Sequence, residues 1–173
     1  MRATYRARDG SPGRCTGFSL LELVVSLTLV AALVGVFLDR ALYYREQAEK
    51  ATMEQVAQDL RSSVNLRVAE LALNNRFQEL AELPQENPFE LLARKPENYR
   101  GVLAGVPVQE VVTGGWYFDK ISKEVVYFVD LGQNFKPDES GRKEVAWHIV
   151  LVPGERGQPQ WARFELVRPY RWF

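Results

Sequence analysis

The stretch Gly17–Leu38, GFSLLELVVSLTLVAALVGVFL, is the longest apolar run in the chain and carries a single charge, Glu22. An α-helix rises ~1.5 Å per residue, so about 20 apolar residues cross the ~30 Å hydrocarbon core of a bilayer. The stretch is therefore predicted to form a membrane-spanning helix. The rest of the sequence contains no second run of this length and composition.

Glu22 occupies a costly position in this run. A carboxylate in the hydrocarbon core costs roughly 2.5 kcal/mol or more, and it marks a functional position whose partner has to be found. Arg14 is the nearest upstream cation, but it lies outside the apolar run. Cleavage between Gly17 and Phe18 would create an α-amino group one helical turn from Glu22. Because a buried charge needs an opposite charge, such a cut would supply the partner.

The residues on either side of Gly17 resemble a known signal sequence. A short basic leader that ends in Gly17, followed by FSLLEL at residues 18–23 and the apolar run, resembles the signal of type IV pilins and type II secretion pseudopilins. The resemblance implies that a prepilin peptidase cleaves after Gly17 and methylates Phe18. It also implies that Glu22 pairs with the N-terminus of Phe18 in a neighbouring subunit. The motif covers about residues 14–40, and beyond them only the layout is similar.

The charges that flank the run predict its orientation. Residues 1–17 contain four arginines and one aspartate, and they are expected to be a cleaved leader without a fold. Because positive flanks stay in the cytoplasm, the N-terminus is expected there. With the resemblance, this predicts a single-pass protein of the bacterial inner membrane, with a periplasmic C-terminal domain and a place in a filament after assembly.

Cys15 is the only cysteine and precedes the apolar run, so an intrachain disulfide cannot form. Many members of the resembled family close their C-terminal region with a disulfide. Its absence and the long leader favour a minor subunit, whereas the presence of Glu22 argues against a filament-tip subunit. The sequence leaves open whether the filament is a type IV pilus or a type II secretion pseudopilus.

The apolar segment, residues 18–38, continues without proline to about Leu80, which predicts one unbroken helix without a kink near Asp39. Within residues 39–83, apolar residues recur every three or four positions, so this amphipathic continuation has one apolar face. That stripe consists of Met53, Val56, Leu60, Val64, Val68 and Leu71. The first part of the helix suits lipid or other helices, and the second part suits a packed sheet.

Residues 84–173 are predicted to be a linker and a sheet domain. Asn87 and Pro88 have the preferences of a helix cap and a first helical position, so a short helix is expected there. Val102–Val108 is apolar but broken by Gly105 and Pro107, so a weak strand or an extended loop is expected there. Turn-rich residues then separate β-rich segments at Trp116–Asp119, Glu124–Leu131, Val145–Val152 and Gln160–Val167. The predicted fold class is α+β, with the long N-terminal helix packed on a C-terminal antiparallel sheet, and this is also the pilin layout.

The residue inventory argues against an enzyme. His148 is the only histidine and stands among strand residues, and the sequence lacks a P-loop, a Rossmann fingerprint and a G-x-S-x-G elbow. No cofactor is expected. Asp130, Asp138 and Glu139 border a loop comparable to the calcium loop of pseudopilins that the chain resembles. Their spacing fits no ligand template, and nearby cations oppose calcium, so a solvated loop is the preferred interpretation.

One further feature bears on function. Aromatic and basic residues alternate between Trp161 and Phe173, a composition that can bind single-stranded nucleic acid. Packing of these aromatics on the helix is the preferred interpretation, and nucleic acid is not an expected partner.

The expected function is a structural filament subunit whose partners are a prepilin peptidase, other pilin or pseudopilin subunits and an inner-membrane assembly platform. The alternatives are a membrane-anchored binding or DNA-uptake module whose periplasmic domain acts alone, and a plain signal anchor.

Overall fold

The computed structural model describes residues 19–105, 111–137, 141–154 and 159–173. The chain divides into two compact units, one that reaches to Ala41 and one from Leu42 to Phe173. Within the described residues the order is one long α-helix, three short 3-10 helices and seven β-strands. The α+β class predicted from the sequence is confirmed.

The long helix, α1, is Leu20–Leu73 and contains 54 residues. It runs through Asp39 without a break, as the absence of proline predicts. The predicted apolar stripe is confirmed, although Val56 is only partly covered. The buried members of the stripe are Met53, Leu60, Val64, Val68 and Leu71.

Helix α1 ends at Leu73, and the prediction of a helix to about Leu80 is wrong. Asn75 has a φ of 55°, in the left-handed region. The Arg76 N–H donates to the Leu71 carbonyl at 2.8 Å, and the Asn75 N–H donates to the Ala72 carbonyl at 3.2 Å. This is the Schellman pattern, in which a left-handed residue closes a helix and satisfies its last carbonyls.

Three 3-10 helices follow, at Phe77–Ala81, Leu83–Gln85 and Pro88–Leu91. The sequence predicted a single short helix here. The predicted cap is confirmed, because the Asn87 side-chain oxygen accepts a hydrogen bond from the Phe89 N–H at 3.1 Å. Buried side chains hold the segment to the core, namely Leu80, Leu83 and Phe89.

The main sheet has five strands in the order β1-β2-β3-β5-β6. The strands are β1 Tyr99–Leu103, β2 Gly115–Asp119, β3 Glu124–Phe128, β5 Glu144–Pro153 and β6 Pro159–Leu166. The predicted β2–β3 hairpin and the antiparallel β5–β6 pair are confirmed. A second sheet pairs β4 Phe135–Lys136 with β7 Arg171–Trp172, and the sequence analysis missed it.

The sheet is not antiparallel throughout, because β1 pairs with β2 in parallel. Val102–Val108 is predicted to be a weak strand or an extended loop, and β1 is Tyr99–Leu103, so only Val102 and Leu103 of that segment lie in a strand. Residues 106–110 lie outside the described part. The connection 104–114 is longer than a hairpin turn, so it permits the parallel pairing that a tight turn forbids. The fold is therefore a long helix with a mostly antiparallel sheet.

Strand residues alternate between two apolar clusters, as the period of two of a β-strand requires. Trp116 of β2 lies in the large cluster that contains the buried face of α1, whereas Tyr117 lies in a smaller cluster. The ring of Trp116 is 5.0 Å from that of Tyr127 and 5.2 Å from that of Trp147, measured between centroids. These aromatic contacts form the centre of the core.

Candidate functional site: the exposed apolar helix and its acidic first turn

The first turn of α1 is closed by Ser19. Its hydroxyl oxygen accepts a hydrogen bond from the Glu22 backbone N–H at 3.1 Å, and its carbonyl accepts from the Leu23 N–H at 3.0 Å. Ser-x-x-Glu is the sequence of a capping box, in which the glutamate stands at the third helical position. The sequence reasoning missed Ser19 as the cap of α1, although the S-x-x-E spacing carries the signal.

The carboxylate of Glu22 is exposed to solvent. Gly17 and Phe18, where cleavage and methylation are predicted, lie outside the described residues. The expected charge pair between Phe18 and Glu22 therefore falls outside them as well. Among the residues that are described, no Lys or Arg lies within ion-pair distance of Glu22.

The apolar side chains that follow are uncovered. Every described residue from Ser19 to Arg40 is exposed, including ten leucine and valine side chains between Leu20 and Val34. By length and composition this part of α1 could cross a membrane. An uncovered apolar surface of this size marks a contact with lipid or with another protein.

Further along α1, a row of carboxylates binds distant parts of the domain. The carboxylate row consists of Glu46, Glu49 and Glu54. Glu46 is only 2% exposed. It accepts hydrogen bonds from the Asn134 backbone N–H at 2.8 Å, the Asn134 amide at 2.7 Å and the Trp172 indole at 2.9 Å. Three donors thus compensate the burial of one charge.

These contacts explain the acidity of Glu46. Burial by itself raises the pKa of this carboxyl group. The hydrogen bonds from Asn134 and Trp172, together with the charge of Lys143, outweigh burial and hold the pKa below its ordinary value. Glu46 is therefore ionised at neutral pH, as a buried acceptor of three hydrogen bonds should be.

Glu49 and Glu54 also accept hydrogen bonds from distant residues, including one tyrosine hydroxyl each. Glu49 accepts from the Tyr127 hydroxyl at 2.9 Å and from the backbone N–H groups of Asp130 and Leu131, both at 2.7 Å. Glu54 accepts from the Tyr170 hydroxyl at 2.9 Å. Burial and the neighbouring carboxylates raise the pKa of both tyrosines. The carboxylate row therefore fixes the loop after β3 and the segment that contains β7 to α1.

The calcium candidates do not form a group in the described part of the chain. Asp130 is exposed and accepts a hydrogen bond from the Thr113 hydroxyl at 2.5 Å. Asp138 and Glu139 lie outside the described residues. Within the ranges that the structure describes, no three His, Cys, Asp or Glu side chains come together as a metal site would require.

The aromatic residues near Phe173 are largely used in packing. The Trp172 ring is buried, and the Tyr170 hydroxyl is bonded to Glu54. The preferred interpretation of these two aromatics, packing on the helix, is confirmed. Trp161 and Phe173 are the exceptions, because they are 39% and 42% exposed. His148 lies in β5, opposite Glu124 on one neighbouring strand and Glu165 on the other.

Fold and site together define a class: an α+β protein whose N-terminal helix is uncovered and apolar in its first part and packed on a mostly antiparallel sheet in its second part. Comparisons with protein-family models, with curated proteins and with solved structures found no match to this chain.

Proposed function

We propose that this chain is a minor subunit of a type IV pilus or type II secretion pseudopilus and that it assembles through α1. The observation that carries the proposal is Glu22, an acidic residue in the first turn of a helix whose next four turns are uncovered and apolar. In this proposal a prepilin peptidase cleaves after Gly17 and methylates Phe18. The chain spans the bacterial inner membrane with its N-terminus in the cytoplasm and its domain in the periplasm.

The proposed mechanism of assembly has an electrostatic part and a packing part. The amino group of Phe18 in one copy pairs with Glu22 in its neighbour, which spares both charges the cost of being unpaired in an apolar surrounding. The apolar side chains of α1 then pack against the same segment of other copies by dispersion. An inner-membrane assembly platform would supply the copies, and the domain from Leu42 onward would face outward.

Substitution of Glu22 tests the proposal, and two variants separate its two roles. Glu22→Gln keeps a side chain that can complete the capping box but loses the charge, whereas Glu22→Ala loses both. If pairing is the role, both variants insert into the membrane and fail to enter filaments. An unpaired amino group costs roughly 2.5 kcal/mol or more, so incorporation should fall by more than about tenfold. The measurement is the amount of subunit in sheared filaments relative to the membrane fraction.

Asp39→Asn is the matched control, because it removes an exposed carboxylate beyond the other end of the apolar run. It should assemble like the unmodified chain. Normal incorporation of Glu22→Gln would refute the pairing role. Mass spectrometry of the assembled chain should find methylated Phe18 at its N-terminus, and an intact Met1 would point to a plain anchor.

A further inference from the structure

The two-stranded ribbon formed by β4 and β7 places two cations side by side. Lys136 and Arg171 are register partners, and both are exposed, whereas Phe135 and Trp172 of the same pairs are buried. Like charges directly opposite each other in a sheet are destabilising. In the described part of the chain, no carboxylate lies within ion-pair distance of either residue. Among the described residues nothing offsets this local cost, and an anionic partner would remove it.

The ribbon lies beside the beginning of the domain part of α1, because Trp172 and Asn134 both bind Glu46. A groove lies further along the same helix. From Glu46 to Arg67 the helix rises ~31 Å at 1.5 Å per residue. The groove is lined by Ser63, Leu66, Arg67, Glu70, Glu86 and Leu91.

The groove and its surroundings carry apolar and acidic side chains, whereas the exposed side chains of the ribbon are basic. Leu66 is 73% exposed, which is unusual for a leucine beside a packed core. Arg67 is already engaged, by Glu70 at 2.9 Å and by Glu79 at 3.9 Å. Glu86 is exposed, as is Glu82 four residues earlier, and neither has a cation within ion-pair distance among the described residues.

We infer that the Lys136–Arg171 ribbon of one copy of this chain binds Glu82 and Glu86, beside Leu66, in a second copy. Charge complementarity selects this occupant, since the same chain carries both halves of the contact. Two different surfaces meet in it, so the contact is head-to-tail rather than a symmetric pair. It also requires the two copies to be offset along the domain part of α1.

This inference rests on the proposed function, and zero-length crosslinking of assembled filaments tests it directly. A carbodiimide joins a lysine amine to a carboxylate only when the two are in contact. Filaments assembled from a mixture of unlabelled and 15N-labelled chains should yield a Lys136–Glu86 or Lys136–Glu82 peptide. About half of these peptides should combine a labelled with an unlabelled partner, as a contact between copies requires. Filaments that assemble but lack this peptide would overturn the inference.

Charge reversal provides the second test. Lys136→Glu with Arg171→Glu should lower filament yield about tenfold or more, because like-charge contacts suppress association strongly. Adding Glu82→Lys and Glu86→Lys to the same chain should restore it. The matched control, Arg100→Glu with Lys120→Glu, reverses two exposed cations on β1 and at the end of β2, and it should assemble normally.

The outcomes distinguish a wrong contact between copies from a wrong filament function. If the unmodified chain assembles and the ribbon variant assembles equally well, the contact is wrong while the filament function stands. If the unmodified, processed chain never enters filaments in a cell that builds them, both are wrong. If the ribbon variant loses only binding to vesicles of phosphatidylglycerol and keeps its assembly, the partner is lipid and the contact between copies is overturned.

Discussion

Glu46 shows how one side chain can hold distant parts of this domain together. Its three hydrogen-bond donors stand 88 and 126 positions further along the chain. A buried carboxylate is stable only when its oxygens are satisfied, and here Asn134 and Trp172 satisfy them. The sequence contained a signal for this residue that the analysis did not use. Glu46 stands seven positions before Met53, so it is an acidic residue on the apolar face of the helix.

Substitution of Glu46 should therefore destabilise the domain. Glu46→Ala leaves three donors without a partner and should lower the free energy of unfolding by about 3 kcal/mol. Glu46→Gln keeps one acceptor and should cost about 1 kcal/mol. The measurement is urea unfolding of the full chain in detergent, followed by tryptophan fluorescence. Asp59→Asn, at an exposed position on the same helix, is the control and should have little effect.

The pH dependence gives an independent check of the same residue. The folded-state pKa of Glu46 lies below its ordinary value of 4.5. The ionised carboxylate therefore contributes its full stabilisation above that value, and the contribution is lost as the pH falls through the lower folded-state pKa. Between about pH 6 and pH 3, Glu46→Gln should lose less stability than the unmodified chain. Equal losses would contradict the assigned role.

At the level of elements, the end of α1 depends on Asn75. A left-handed residue with a Cβ costs roughly 1 kcal/mol or more, which asparagine reduces and glycine avoids. Asn75→Ala should lower the free energy of unfolding by about 1 kcal/mol, and Asn75→Gly should be neutral or stabilising. Thermal unfolding by circular dichroism measures both. Asn65→Ala makes the same change in an exposed, mid-helix position and should stabilise slightly, because alanine has the higher helix propensity.

The sequence predicted the elements whose signals are local. The stripe from Met53 to Leu71 repeats with the helical period. The β2–β3 hairpin is marked by two β-rich segments that a short polar connection separates. The parallel partner of β1 and the β4–β7 ribbon were missed. Pairing between β4 and β7 joins residues far apart in the chain, and each strand has only two residues, too few to show an alternation.

Within the candidate site, the helix cap at Ser19 was missed although its signal is local, whereas the carboxylate row was missed because its partners are distant. The Ser19–Glu22 contact is local, and its S-x-x-E spacing was available in the sequence. The donors to Glu49 lie 78 to 82 positions away, at Tyr127, Asp130 and Leu131, and sequence spacing does not indicate which helix position such a loop will reach. Sequence reasoning therefore found the apolar helix but not the contacts that fix the domain to it.

For the molecule as a whole, side chains of α1 divide into those that hold the domain together and those that are free to meet a neighbour. Leu60 is fully buried, whereas Leu66 is largely exposed. Leu60→Ala should lower the free energy of unfolding by about 3 kcal/mol, because it leaves a cavity in the core. Leu66→Ala should change it by less than about 0.5 kcal/mol and yet reduce filament yield. Urea unfolding and a filament assay on the same two variants check this division, and a strongly destabilised Leu66→Ala would contradict it.

The hydrogen bond between Trp172 and Glu46 also has a consequence for synthesis. The two residues are 126 positions apart. A ribosome adds about 5–20 residues per second. Roughly 6–25 seconds therefore pass between the synthesis of Glu46 and the synthesis of its indole donor, Trp172. During that interval Glu46 lacks its indole donor, so the contact between Trp172 and α1 cannot form. A chaperone would have this interval in which to bind the chain.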